Sequence, residues 1–181
     1  MLRFKTKLSL ITVILLTGCA STIGFNFSVG SEESVAKGIT YNYDKFEKQG
    51  WLTTEMYLLS KQSPSVTIKY RSLYENNKQS FIQLYGRMGN SDWCFLDSAY
   101  DENGRKYNFN KIDTEVSSGA GVVAVFEYFA LDLTLEQLKR FSDKGIEFKV
   151  SGKRCDAKFT LDKKISSAFL NAITKRETHK T

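Results

Sequence analysis

The sequence predicts an α+β fold, mostly antiparallel β-sheet or sandwich, with two short helices near the C-terminus. Three observations lead there. Through the middle of the chain, apolar residues recur at every second position, the spacing that places them on one face of a strand. Aromatic residues make up 13% of the chain, with 13 Phe and 9 Tyr, and such side chains suit pleated, half-buried surfaces. After residue 133 the apolar spacing lengthens in two segments to that of a helix. A length of 181 residues fits one domain with a sizeable core. With 41% hydrophobic and 25% charged residues, the composition excludes a wholly disordered chain.

The N-terminus follows a different pattern. Met1 to Lys7 holds Arg3, Lys5 and Lys7 and no acidic residue, and the run from Leu8 to Leu16 is almost wholly apolar. A basic stretch followed by a short apolar one is the pattern of an export signal. The run is about half the roughly 20 residues that a membrane-spanning helix needs, so a stable transmembrane anchor is disfavoured.

Leu16-Thr17-Gly18-Cys19 closes this segment and resembles the lipobox of bacterial lipoproteins, in which a Leu and two small residues precede a Cys. The resemblance covers the first 19 residues only. It implies cleavage between Gly18 and Cys19, a diacylglycerol on the Cys19 sulfur, and acylation of the new amine. Small side chains at 17 and 18 suit a protease cleft, and a thiol forms a stable thioether. Each buried CH₂ of an acyl chain contributes about 0.8 kcal/mol, so two or three chains hold a soluble domain on a bilayer. In Gram-negative lipoproteins an Asp directly after the Cys favours the inner membrane. Here Ala20 and Ser21 follow, which implies an outer-membrane location facing the periplasm or the surface.

The expected organisation is a signal peptide over residues 1–18, an acylated N-terminus and tether over 19–37, one β-rich domain over 38–176, and a frayed tail over 177–181. The tether is rich in Ser, Gly and Glu, with a short strand expected where Phe25, Phe27 and Val29 alternate with polar residues. Pro64 lies between two strand-like runs and marks a turn. In the first long run Val66, Ile68 and Tyr70 oppose Thr67, Lys69 and Arg71; in the next, Ile82, Leu84 and Met88 oppose Gln83 and Arg87. Asn103-Gly104 is a turn signal between strands. The runs on either side of Ser117-Ser118-Gly119-Ala120-Gly121 are expected to pair.

The run from Val122 to Leu131 is apolar on both sides, as when both faces of a strand are covered, and the C-terminal helices are the simplest cover. Glu127 interrupts it, and strict alternation is expected to turn Glu127 outward with Val125 and Phe129. Thr134 and Gln137 form a capping box for the first helix, whose face carries Leu135, Leu138 and Phe141, and Gly145 stops it. Strands follow, with Ile146, Phe148 and Val150 in one set and Cys155, Ala157, Phe159 and Leu161 in the other. The last helix presents Ile165, Ala168, Phe169, Ala172 and Ile173 as one stripe, with Lys175 and Arg176 suiting its C-terminal end.

With Cys19 acylated, Cys94 and Cys155 remain, and export would place them in an oxidising compartment. A disulfide between them would close a loop worth roughly 4 kcal/mol in the chain-entropy model. The alternative is two separate buried thiols.

The formal charge of +6 loses the three cations Arg3, Lys5 and Lys7 with the signal, leaving 6 − 3 = +3. That balance does not point to nucleic acid. The one histidine, His179, stands in the tail, which disfavours His-based triads and metal sites. Neither zinc-type Cys spacing, a phosphate-binding glycine fingerprint nor a Gly-x-Ser-x-Gly elbow occurs. No catalytic, cofactor or metal residue is therefore assigned. Carboxylates near Trp93 (Asp92, Asp97, Asp101 and Glu102) and the pair Glu127 and Asp132 are the remaining acid/base candidates. The expectation is a non-enzymatic envelope lipoprotein, bound to the bilayer through Cys19, with an envelope protein or glycan as partner and no cofactor. The alternatives are a tethered hydrolase of glycan or peptidoglycan, and a lysozyme inhibitor. The mature charge of about +3 speaks against the inhibitor, because lysozymes are usually basic.

Overall fold

Val66, Ile68 and Tyr70 on one side, and Lys69 and Arg71 on the other, become the two faces of a central strand in a computed structural model that describes residues 26–119 and 121–178. The expected signal segment, Cys19, Phe25, Ala120 and His179 lie outside the described residues.

In chain order the elements are helix α1 (Glu32–Lys37) and strands β1 (Thr40–Asp44), β2 (Gln49–Thr53), β3 (Tyr57–Ser60), β4 (Ser65–Glu75) and β5 (Lys78–Asn90). Strands β6 (Leu96–Asp101), β7 (Phe109–Gly119) and β8 (Val122–Leu133) precede helix α2 (Leu135–Lys144). Strands β9 (Ile146–Gly152) and β10 (Asp156–Leu161) and helix α3 (Lys163–Thr178) complete the fold. A seven-stranded antiparallel sheet runs β1-β2-β4-β5-β8-β7, with β3 pairing a second stretch of β4 beside β2. A three-stranded sheet runs β10-β9-β6. The fold is thus α+β and mostly antiparallel, as the sequence predicts.

Period-two spacing decides what enters the core. The inner face of the large sheet contributes Ile68, Tyr70, Leu84, Met88, Phe129 and Leu131; the small sheet contributes Phe148, Val150, Phe159 and Leu161. Helix α3 packs on the inner face, where the ring of Phe169 stacks on Tyr70 at 5.1 Å and the Ser166 hydroxyl lies 2.9 Å from that of Tyr70. Burial pushes the Tyr70 phenol well above its ordinary value, so it stays protonated and able to donate. At the start of α2, the Thr134 hydroxyl accepts from the Gln137 N–H, and the Gln137 amide oxygen accepts from the Thr134 N–H. Gly145, at φ +74°, ends that helix.

Five expectations change. The tether stretch is structured from Asn26 onward: Asn26 bridges to Tyr57, and α1 buries Val35 in the core. Ser31 caps that helix by accepting from the Ser34 N–H, a pattern that the Ser- and Glu-rich composition conceals. The strand expected around Phe27 reduces to that single bridge. Leu135 is 39% exposed, because the first residue of α2 stands beside the cap rather than on the packed stripe.

Val125 and Phe129 do share a face with Glu127, but that face is the core, so the carboxylate points inward and is only 7% exposed. The other side of β8 is not covered by the C-terminal helices: α3 packs on the inner face of the large sheet through Phe169, and Phe141 of α2 packs on Phe148 of the small sheet.

Candidate functional site

The outward set of the large sheet collects the chemistry that the described residues offer to a ligand. Strand register builds it in rows. Trp51 of β2, Leu73 of β4 and Phe81 of β5 stand side by side. Two residues along, Thr53, Arg71, Gln83 and Asp132 are in register across β2, β4, β5 and β8. Next come Lys69, Tyr85, Ala130 and Asn110, and then Thr67, Arg87, Tyr128 and Asp113. A row with Phe126 and Glu115 follows. Two residues of strand advance about 6.8 Å, so the four steps from the Trp51 row to the Phe126 row span about 27 Å.

The cations are held by rings. The Arg71 guanidinium lies 4.5 Å from the centre of the Tyr85 ring and 5.1 Å from that of Trp51. Lys69 Nζ is 5.3 Å from the Tyr85 ring, and Arg87 is 4.7 Å from Phe126. Trp51 meets Phe81 edge-on at 5.6 Å. Each such contact stabilises a cation by about 0.5–1 kcal/mol at an exposed site and more as it is desolvated.

A chain of hydrogen bonds crosses the same face. Arg71 Nε donates to Gln83 Oε1 at 2.9 Å, and Gln83 Nε2 donates to Asp132 Oδ1 at 2.7 Å. The other oxygen of Asp132 accepts from the side-chain amides of Asn108 and of Asn110, the latter at 3.0 Å. Asp132 is thereby occupied by three carboxamides, and Gln83 stands between it and Arg71. Among the described residues, neither Lys69 nor Arg71 contacts a carboxylate within ion-pair distance. Burial holds both groups below their ordinary values; for Lys69 the neighbouring Arg71 adds to this, and for Arg71 the nearby Tyr85 and Asp132 oppose it. Two half-buried cations thus stand on this open face with no carboxylate at ion-pair distance.

The acid/base candidates disperse into separate structural bonds. Both oxygens of Glu127 are engaged by the backbone of the segment before β6: Oε1 accepts from the N–H groups of Cys94 and Phe95 at 2.6 and 3.0 Å, and Oε2 from Leu96 at 2.8 Å. Glu127 and Asp132 lie on opposite faces of β8, so they do not form a pair. Asp101 is buried, accepting from the Asn103 and Arg105 N–H groups at 3.0 Å each and from the Tyr107 hydroxyl at 2.9 Å. Burial alone would raise its carboxyl; the bonds from Arg105, Tyr107 and Asn103 outweigh burial and hold it below its ordinary value. Asp92 is exposed and pairs with Arg154 at 3.4 Å, while Asp97 accepts from the Ser98 hydroxyl. Glu102 stays exposed at the turn, where its N–H reaches the Glu147 carbonyl. Trp93 stacks on Phe95, over which Arg154 sits at 5.1 Å.

Cys94 and Cys155 are joined by a disulfide, with Cα atoms 5.0 Å apart, which decides between the two alternatives for these cysteines. Cys19 and Gly18 lie outside the described residues. Among the described residues, no three His, Cys, Asp or Glu side chains group closely enough to hold a metal. A separate open groove of about 720 Å³ lies between α1, β1 and the C-terminal end of α3, lined by Ile39, Tyr41, Leu52, Ala172, Lys175 and Arg176. Arg176 covers the ring of Tyr41 there at 3.3 Å, so its charge is already engaged by the fold.

Sequence reasoning missed the outward face because its members are far apart in the chain. Arg71, Gln83 and Asp132 read locally as the polar half of three alternating strands. The available signal was the type of those polar positions: a solvated strand face rarely needs Trp51, Tyr85, Phe126 and Tyr128 among its cations.

No family model matches the chain, and no curated protein or solved structure shows significant similarity to it.

Proposed function

We propose that this chain is a membrane-anchored lipoprotein of the bacterial cell envelope whose β-rich domain binds an envelope component without catalysing a reaction. The observation that carries the anchor is Leu16-Thr17-Gly18-Cys19, set directly behind a basic stretch and a short apolar run. Acyl chains on Cys19 supply the membrane attachment, and no helix among the described residues is long and apolar enough to cross a bilayer. The Cys94–Cys155 disulfide suits an exported domain. Ala20 and Ser21 after Cys19 favour the outer membrane in a Gram-negative envelope.

The binding role rests on the outward face of the large sheet, where Lys69, Arg71 and Arg87 are interleaved with aromatic rings. The described fold begins at Asn26, seven residues past Cys19, so the domain is held close to the membrane surface.

Growth with labelled palmitate, followed by purification of the wild type and of Cys19→Ala, tests the anchor. Wild type carries label and fractionates with membranes, and the variant keeps its signal segment and carries none. An unlabelled wild type would overturn the proposal. Crosslinking in native membranes then tests the binding role: partners captured by wild type should be lost on Lys69→Ala/Arg87→Ala.

A further inference from the structure

We infer that the outward face of the large sheet recognises an acidic saccharide, a chain of sugar rings bearing carboxylates. This rests on the proposed binding role of that face and names its ligand class.

The argument starts from charge. Lys69 and Arg71 sit on neighbouring positions of β4's outward side, half-buried, with no carboxylate in ion-pair contact among the described residues. Arg87 extends the basic strip one strand over, in register with Thr67. Such cations attract an anion most strongly where water is partly excluded. A guanidinium also matches a carboxylate with two parallel hydrogen bonds, which an ammonium cannot do.

Hydroxyl recognition is supplied beside them. Asn110, in register with Ala130 of β8, presents a carboxamide group fixed by Asp132. The phenol of Tyr85 flanks the cations, and burial raises it above its ordinary value, so it is a donor at neutral pH, while the Tyr128 hydroxyl beside Arg87 already donates to Glu115 at 2.7 Å. Carboxylate-binding and hydroxyl-binding groups thus share three successive rows that span about 14 Å, a length suited to a short run of sugar rings rather than to one small anion.

The same geometry argues against a nucleic acid. Base stacking needs open ring faces. Here Arg71 lies over Tyr85 and Trp51, and Arg87 over Phe126, so those faces already carry a cation. Rings capped in this way hold the guanidinium groups in place on the face.

The test uses the full chain purified in mild detergent, with binding measured by calorimetry to polygalacturonate, dextran, an oligothymidylate and vesicles containing an anionic lipid. Polygalacturonate is expected to bind, to weaken as NaCl is raised, and to lose at least about tenfold in affinity on Lys69→Ala/Arg87→Ala. Lys163→Ala/Lys164→Ala, which removes two exposed cations from α3, should leave it unchanged. Retained thermal unfolding shows that both double variants are folded. Equal binding of dextran, tighter binding of oligothymidylate or vesicles, or equal loss in the α3 variant would each overturn the inference. The crosslinking result separates it from the underlying proposal. If Lys69→Ala/Arg87→Ala abolishes native crosslinks while polygalacturonate fails to bind, only the acidic-saccharide inference falls. If the crosslinks also survive, the binding role of the face falls with it.

Discussion

Glu127 Oε1 accepts the backbone N–H of Cys94 at 2.6 Å, so a buried carboxylate on the large sheet anchors the cysteine that the disulfide ties to the start of β10. Three successive N–H groups converge on that one side chain. The segment they belong to holds Phe95 at φ +56°, a conformation that costs a non-glycine residue about 1–3 kcal/mol. The backbone is further fixed from the other side, where the Cys94 carbonyl accepts from Arg154 N–H at 3.1 Å and the Phe95 carbonyl from Lys153 N–H at 3.3 Å.

Removing that carboxylate should therefore be severe. Glu127→Ala leaves three backbone donors without their acceptor, each costing about 1–3 kcal/mol where buried, and a total loss of at least about 3 kcal/mol is expected. Glu127→Gln, which sets an amide N–H₂ against one of the donors, should cost about 2 kcal/mol. Urea unfolding of both variants checks this. A loss below about 1 kcal/mol for the alanine variant would show that water replaces the carboxylate.

The disulfide and Glu127 constrain the same segment, so their contributions should not add. Cys94→Ala/Cys155→Ala is expected to cost about 2–5 kcal/mol. Adding Glu127→Ala should cost less than the sum of the separate losses, because the segment has already been released. A double-mutant cycle from denaturant midpoints reads this directly, and strict additivity would refute the shared clamp.

Asp101 sets an acid limb on stability. Its carboxyl is held below its unfolded value of about 3.9, so its contribution is fully present above that pH and is lost as the pH falls through the folded-state value. Asp101→Asn should cost about 2 kcal/mol at pH 7, the worth of a hydrogen bond to a charged group. The gap between wild type and variant should narrow below about pH 4. A gap that stays constant from pH 7 to 3 would assign the cost to packing instead.

Gly86 is a packing glycine. A Cβ there would run into Cζ of Phe129, which is its direct partner across β5 and β8, and that ring also stacks on Phe109 at 5.6 Å. Gly86→Ala should therefore cost about 1–3 kcal/mol by overpacking. The loss should shrink when Phe129→Leu removes the ring edge, as a thermal-melt series of the single and double variants would show.

By itself the sequence determined the elements whose causes are local. Alternation in β4, β5, β9 and β10 names their buried sets, because a strand's side chains have only two directions. Thr134 and Gln137 start α2 wherever it packs, since both bonds of the box lie within one turn. The proposed anchor likewise rests on a short contiguous stretch, Leu16-Thr17-Gly18-Cys19, which resembles a lipobox.

Tertiary structure alone decided what depends on which strands become neighbours. Alternation groups Glu127 with Val125 and Phe129 but does not say which side is the core; that follows from where the small sheet and α3 pack. Pairing of Cys94 with Cys155 required β6 and β10 to flank β9, bringing residues 61 apart in sequence to 5.0 Å between Cα atoms. The cationic strip exists only because register sets Arg71 beside Gln83 and Gln83 beside Asp132. Such cross-strand contacts are long-range terms, fixed by the free energy of the whole sandwich and invisible to any local window.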